Sequence, residues 1–545
     1  MLGVDTFRRA SGRLVPSTRP SEGAARAPWP LLLGGLLVAG VALLPIGYLV
    51  VRALGADVEA LDLVLRPRTL VVAASTVALA LLVGVGTIAV GVPLAWLTTR
   101  TDLPGRRLWA ILVAVPLAIP SYVIGFAFLA ALGPRGALQG LLEPLGVRQL
   151  PSIGGLFGTT LVLVLAAYPY VLLSTRAALL RTDPSTEEAA RLLGDRRRTV
   201  FRRVTLPILV PAIAAGSLLA VLYALSDFGV VSLLQFDSFS RAIYVQYQAS
   251  FDRSLAAILA LMLVALTLGV TWAEAQLRRR AGAYAGVGRN TRRPPAVVPL
   301  GRWRWPALAF CAATVGLALG VPTGTIAWWL VRGASQGATI EFAADGALNS
   351  LTLGAGAAIG SVLLVIPIGL LVARYPSRIA SLIERATFTG YALPGIVIAL
   401  AVVFIATSTL PLLYQTVALL VIAYAVRFLP QTVGGVRSAL VAYGPRLEEA
   451  GRTLGDGPIR AFLRLTVPFL RPALVAGGAL VFLTTVKELP MALLLGPIGF
   501  DTLATQIWDA ASEGFYARAA GPAAILLLLS AGSVALLLRA AEAPR

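Results

Sequence analysis

Long apolar runs alternate with short polar segments along the whole chain. Runs at 30–53, 73–98, 108–132, 156–180, 206–235, 254–275, 305–331, 347–373, 383–407, 411–432, 467–495 and 520–539 predict about twelve transmembrane helices, since about 20 apolar residues cross the hydrocarbon core. The run from Leu206 is too long for one simple crossing. Pro207 and Pro211 near its start predict a bent or broken beginning, and Pro468 and Pro472 stand at the matching places of the eleventh run. Pro116, Pro120 and Pro394 mark candidate hinges in the third and ninth runs, because irregular backbone is tolerated in a membrane where it lines protein or a cavity. The first run is longer than the core of a secretory signal and reads as an uncleaved helix, although arginines precede it.

The polar segments between the runs are not all alike. With the amino terminus placed in the cytoplasm, the alternating cytoplasmic segments hold 33 arginines and the opposite side holds 9. Cytoplasmic loops are the basic ones, so an even number of spans with both termini cytoplasmic is expected. Composition agrees with a membrane protein: the 545 residues are 57% hydrophobic and 13% charged, with mean hydropathy +0.82, against about a quarter charged in soluble chains. The net charge of +20 therefore reads as topology and not as a nucleic-acid surface, and no nucleic-acid partner is expected.

One polar segment is written twice. Residues 187–207 read EEAARLLGDRRRTVFRRVTLP and residues 448–468 read EEAGRTLGDGPIRAFLRLTVP, 261 residues apart. VPLAWL at 92–97 resembles IPIGLL at 366–371, and IPSYVIG at 119–125 resembles LPGIVIA at 393–399, both at a spacing of 274. The fold is thus read as all-α and integral to the membrane, in two parallel six-helix repeats about an axis along the membrane normal. The organisation expected is a cytoplasmic tail over 1–29, a first domain over 30–280 with its loop at 181–207, a basic cytoplasmic linker over 281–304, and a second domain over 305–545 with its loop at 442–468.

Each copy of the loop predicts a short helix on the cytoplasmic face. Asp183 as N-cap, Pro184 at the first helical position and Glu187 and Glu188 in the first turn make a strong start, and Pro445, Glu448 and Glu449 repeat it. Gly194 and Gly455 end the helices. The second copy has Gly451 where the first has Ala190. Glycine in a helix costs about 1 kcal/mol relative to alanine, so the two copies are expected to pack differently.

Absences narrow the chemistry. The chain has no histidine, so it holds no Ser-His-Asp triad, no HExxH site and no histidine metal ligand. Its single lysine, Lys487, lies in FLTTVKELP and in no GxxxxGK[ST] loop. The single cysteine, Cys311, lies in an apolar run and reads as a small core residue. Neither a catalytic role nor a metal site is expected in the chain.

The pattern E-A-A or E-A-G, three residues, Gly, nine residues, then hydrophobic–x–hydrophobic–Pro resembles the coupling loop of ABC importer permeases. The resemblance covers nearly the whole chain and implies the type I importer fold. It assigns contact with a cytoplasmic ATPase dimer to Glu187, Glu188, Ala189, Ala190, Gly194, Leu206 and Pro207, and to Glu448, Glu449, Ala450, Gly451, Gly455, Val467 and Pro468. ATP and magnesium would then bind the partner ATPase, with no cofactor in this chain. Residues 225–257 and 487–508 resemble the fused permeases of ferric-iron importers, which implies a periplasmic binding protein as second partner and a bacterial inner-membrane location. Similar permeases serve thiamine, phosphonate, sulfate or polyamines. A proton-driven secondary transporter is the rival class, but it would have no use for duplicated amphipathic loops.

Asp227 and Glu488 fall at equivalent places about 20 residues beyond each loop, with Lys487 beside Glu488. Charges within a span are expensive and face a bundle interior or a water path. Carboxylates suit a hard cation, and these three residues are expected at a translocation path or gate; the alternatives are a structural pair, with Asp227 opposite Lys487 across the repeat, and solvation near the outer interface.

Overall fold

A computed structural model describes residues 27–55, 62, 64–133, 136–146, 152–182, 184–249, 254–281, 297–335, 337 and 341–542. Among these, helix follows helix, and the one β contact is an isolated bridge between Thr101 and Val298. In hydrocarbon every backbone N–H and C=O needs an internal partner, and helices supply it. Among the described residues nine helices are long and apolar enough to cross a membrane, or up to eleven if each of two bent pairs counts as one span. The last apolar run forms the helix Tyr516–Glu542.

The two halves repeat element by element. Helix Pro67–Arg100 matches Glu341–Arg374, both of 34 residues. Ser121–Leu132 matches Gly395–Thr409, and Leu206–Ser226 matches Val467–Val486. Small residues let the backbones approach, as is usual where helices cannot gain from excluding water. A β-carbon on Gly216 would come within 2.7 Å of the Val171 backbone, and one on Gly477 within 2.7 Å of the Thr432 side chain. These glycines set the contact of each post-loop helix with its neighbour. Cys311 is fully buried and unbridged.

Two expected features take another form. The runs 108–132 and 383–407 are not single crossings. Pro120 and Pro394 each precede a separate helix in extended conformation, and the pair Arg378–Tyr391 and Gly395–Thr409 bends by 105°. The first-half counterpart breaks into Arg106–Leu112, a 3-10 turn over Val115–Ala118 and Ser121–Leu132. The long runs 206–235 and 467–495 likewise stop at Ser226 and Val486 before short helices Gly229–Leu233 and Pro490–Leu495.

The bend expected at Pro207 and Pro468 is a π-turn. Residues Phe201–Thr205 and Phe462–Thr466 each widen to i→i+5 bonding just ahead of Leu206-Pro207 and Val467-Pro468. A third π-turn, Gly316–Gly320, ends just before Val321-Pro322. Proline lacks an N–H and its ring crowds the carbonyl four residues back. Widening the preceding turn accommodates both within a continuous helix.

The two repeated loops lie at the same end of the bundle. Val298 is bonded to the backbone of Arg100, beside the first loop. From there the span Gly301–Ser335 crosses once and Glu341–Arg374 returns, bringing Arg374 to the second loop.

Candidate functional site

The repeated loops fold into short helices, Pro184–Leu192 and Arg446–Thr453, with Glu187 or Glu448 and Glu449 in their first turns. Asp183 lies outside the described residues, as do most of the linker and of the amino-terminal tail. Both helices end at the expected glycine: Gly194 has φ +92° and Gly455 has φ +96°, where a β-carbon would be strained. The amide of Asp195 closes onto the Ala190 carbonyl at 3.1 Å, and that of Asp456 onto Gly451 at 3.1 Å.

The two glutamates of each loop point opposite ways. Glu187 is buried and receives the Arg100 guanidinium at 3.1 Å and the Thr205 hydroxyl at 3.0 Å. Glu448 receives Arg374 at 3.0 Å and Thr466 at 2.6 Å. Each clasp ties a 34-residue helix end, a loop helix and a π-turn together. Glu188, Ala189, Glu449 and Ala450 are exposed. Leu193 and Leu454, at the loop tips, are 88% and 89% exposed. The resulting outer face joins acids, small residues and a large apolar side chain. Leu206 and Val467 are half-buried, as is Ala190, and Pro468 is exposed. Leu206, Pro207, Val467 and Pro468 begin the post-loop helices, whereas Ala190 belongs to the loop helix.

Gly451 has a packing cause. A β-carbon there would lie 2.5 Å from the Leu465 Cδ1 atom. At the matching positions the first copy has the larger Ala190 and the smaller Val204, an exchange of volume between the two loops.

At the break after each post-loop helix stands a carboxylate. The Asp227 Oδ1 atom accepts the Val230 amide at 2.8 Å, and the Ser121 hydroxyl donates to Oδ2. Glu488 accepts the Met491 amide at 2.9 Å, the Tyr424 hydroxyl at 2.8 Å and the Arg427 guanidinium at 2.6 Å. The expected Asp227–Lys487 pair does not form. Each break turns its acid back onto its own half, and Lys487 donates instead to the Leu117 carbonyl at 3.1 Å. Lys487 makes no ion pair among the described residues, which also hold no cluster of three acids or thiols able to bind a metal ion.

Residues 87–282 and 365–543 match the family described as binding-protein-dependent transport system inner membrane component. The chain belongs to this family. It is an all-helical, multi-pass inner-membrane permease subunit of ABC importers, and not itself an enzyme. It is 30% identical over 518 residues to an Fe(3+)-transport system permease protein of Haemophilus influenzae, covering 94% of this chain and 98% of the relative. A probable molybdenum ABC transporter permease protein of Haloferax volcanii is 35% identical over 44% of this chain and 86% of its own length. A sulfate transport system permease protein of Escherichia coli is 32% identical over 38% of this chain and 70% of its own length.

Sequence reading missed three parts of this permease site. Arg100 and Arg374 counted only as topological charges, although they recur 274 residues apart as the glutamates recur 261 apart. Arg427 has no counterpart in the first half, where Ala166 stands, so the repeat offered no hint of its ion pair. The exposed leucines Leu193 and Leu454 also recur at 261, a signal that was present but overlooked.

Proposed function

We propose that this chain is both membrane halves of an ATP-driven importer for ferric iron. The similarity to the Fe(3+)-transport permease carries the reading, because it runs through both halves in one polypeptide. In this reading the loops are cytoplasmic, as are both termini, and their outer faces dock on an ATPase dimer, one loop per subunit. On the first loop Leu192 and Leu193 are exposed side by side, and contiguous exposed apolar surface marks interaction sites. ATP and magnesium sit in that partner, and a periplasmic binding protein delivers the cargo. Closure of the ATPase dimer draws the loop helices together. The Arg100–Glu187–Thr205 and Arg374–Glu448–Thr466 clasps pass that movement to the membrane helices, and the breaks at Asp227 and at Lys487–Glu488 act as the gate between outward-open and inward-open states. Reconstitution with the cognate ATPase and binding protein, with uptake of labelled ferric iron, tests the reading. Iron accumulation that requires ATP supports it, and its absence alongside uptake of another cargo overturns the substrate.

A second cargo class is favoured by one observation. The acids at the breaks are already engaged, Asp227 by Ser121 and Glu488 by Arg427, whereas Lys487 is without a carboxylate partner among the described residues. An unpaired ammonium at a gate suits an oxyanion, and the molybdenum and sulfate relatives agree with this. Competition by molybdate or sulfate in the same uptake assay decides between the two.

A further inference from the structure

A cavity of about 680 Å³ opens beside the first loop, between the two halves of the chain. Its walls are largely apolar and include Trp96, Trp303 and Phe310. Two polar atoms in this lining are buried without any partner: the Arg100 Nε atom and the Thr175 Oγ1 atom. Arg100 is 1% exposed and Thr175 fully buried. The lining adds Arg198 and Arg191, the latter 3.7 Å from Glu187, and this one acid of the lining is shared between Arg100 and Arg191.

These features describe an amphiphile: an anionic, oxygen-rich head near the arginines and an apolar body along the aromatic wall. The cavity lies at the loop end of the bundle, where a span meets the membrane surface. Basic cavities between membrane helices at that level hold anionic lipid headgroups, and tryptophans sit at the same depth. We infer that this cavity is a site for one anionic phospholipid.

The site has a consequence for the first loop. Residues of the linker end, Val298 and Leu300, form part of its wall and are tied to the first half, the Val298 amide by the Arg100 carbonyl at 2.7 Å and the Leu300 amide by Asp102 Oδ1 at 2.8 Å. Glu187 and Thr205 of the first clasp line it too. A bound lipid therefore braces the first loop against the second half.

The full chain, purified in mild detergent and stripped of lipid, is titrated with phosphatidylglycerol and followed by native mass spectrometry. One phosphatidylglycerol is expected to survive dilution, with phosphatidylcholine held more weakly. Arg198→Gln should weaken phosphatidylglycerol roughly five-fold, the size of one juxtamembrane charge. Trp303→Ala, which removes an exposed side chain from the apolar wall, should weaken retention without lowering the melting temperature of the lipid-free chain. A phospholipid with a photoreactive acyl chain, applied to the unaltered chain, provides a test independent of folding in the variants. Its crosslinks should fall on peptides spanning 92–97 and 303–310. Equal retention of phosphatidylcholine would leave only an apolar crevice and overturn the proposal. Displacement by inorganic phosphate, a co-purifying polypeptide at the site, or crosslinks spread over the surface would do the same.

Discussion

The acids at the two helix breaks hold equivalent positions and are neutralised by different chemistry. In the first half the shorter Asp227 is met by Ser121, and position 166 is alanine. In the second half the longer Glu488 is met by Arg427, and the place of Ser121 is taken by Gly395. A β-carbon at Gly395 would lie 2.5 Å from the glutamate and 2.6 Å from the arginine, so a side chain there would have to displace the ion pair. What both halves keep is the carboxylate's bond to the amide three residues on, at Val230 and Met491. That bond caps the short helix beyond the break. The shared task is to hold the break open in a defined shape. The surrounding charge is where the halves were free to diverge, and the second half carries all of it, Lys487 included.

Arg427→Ala should break the comparison hardest. It strands a buried carboxylate, which typically costs about 3–5 kcal/mol, and should appear as a large drop in detergent melting temperature or yield. Ser121→Ala at the matching place removes one hydrogen bond to a charged group and should cost about 1.5–3 kcal/mol.

The loop clasps offer the next test. Glu187→Gln should destabilise more than Glu448→Gln, because the first pair is 1% and 7% exposed and the second 13% and 25%. Melting of the two single variants ranks them, and equal shifts would count against a tighter first clasp.

Gly451→Ala carries the smallest effect. Helix propensity alone predicts a gain of about 1 kcal/mol, whereas contact with Leu465 predicts a loss. Leu465→Val, which copies the first loop, should recover stability in the double variant. A stabilising single variant would show that the two loops do not exchange volume.

How far the sequence could be read follows from the range of each interaction. The apolar runs and the repeated loops were legible because composition and local order determine them. Gly194 and Gly455 were legible because a left-handed helix end is a local demand for glycine. The breaks at Pro120 and Pro394 were half legible: proline marks a disruption, but not whether it bends a helix or ends it. The π-turns were hidden, since they use ordinary residues and only the following proline betrays them. The ion pairs were hidden for a different reason. Arg100 reaches Glu187 across 87 residues and Arg427 reaches Glu488 across 61, distances over which no sequence period speaks. The expected Asp227–Lys487 pair failed because equivalence in a repeat places residues around an axis without bringing them into contact.

The central claim is that two outward loop faces couple this permease to an ATPase. The direct measurement replaces Glu188 and Glu449 together by lysine and follows ATPase co-purification and ATP-dependent ferric-iron uptake in proteoliposomes. Both residues are exposed, so melting of the purified permease should be unchanged while ATPase binding and uptake fall to background. Full ATPase retention with normal uptake in the double variant would contradict the account.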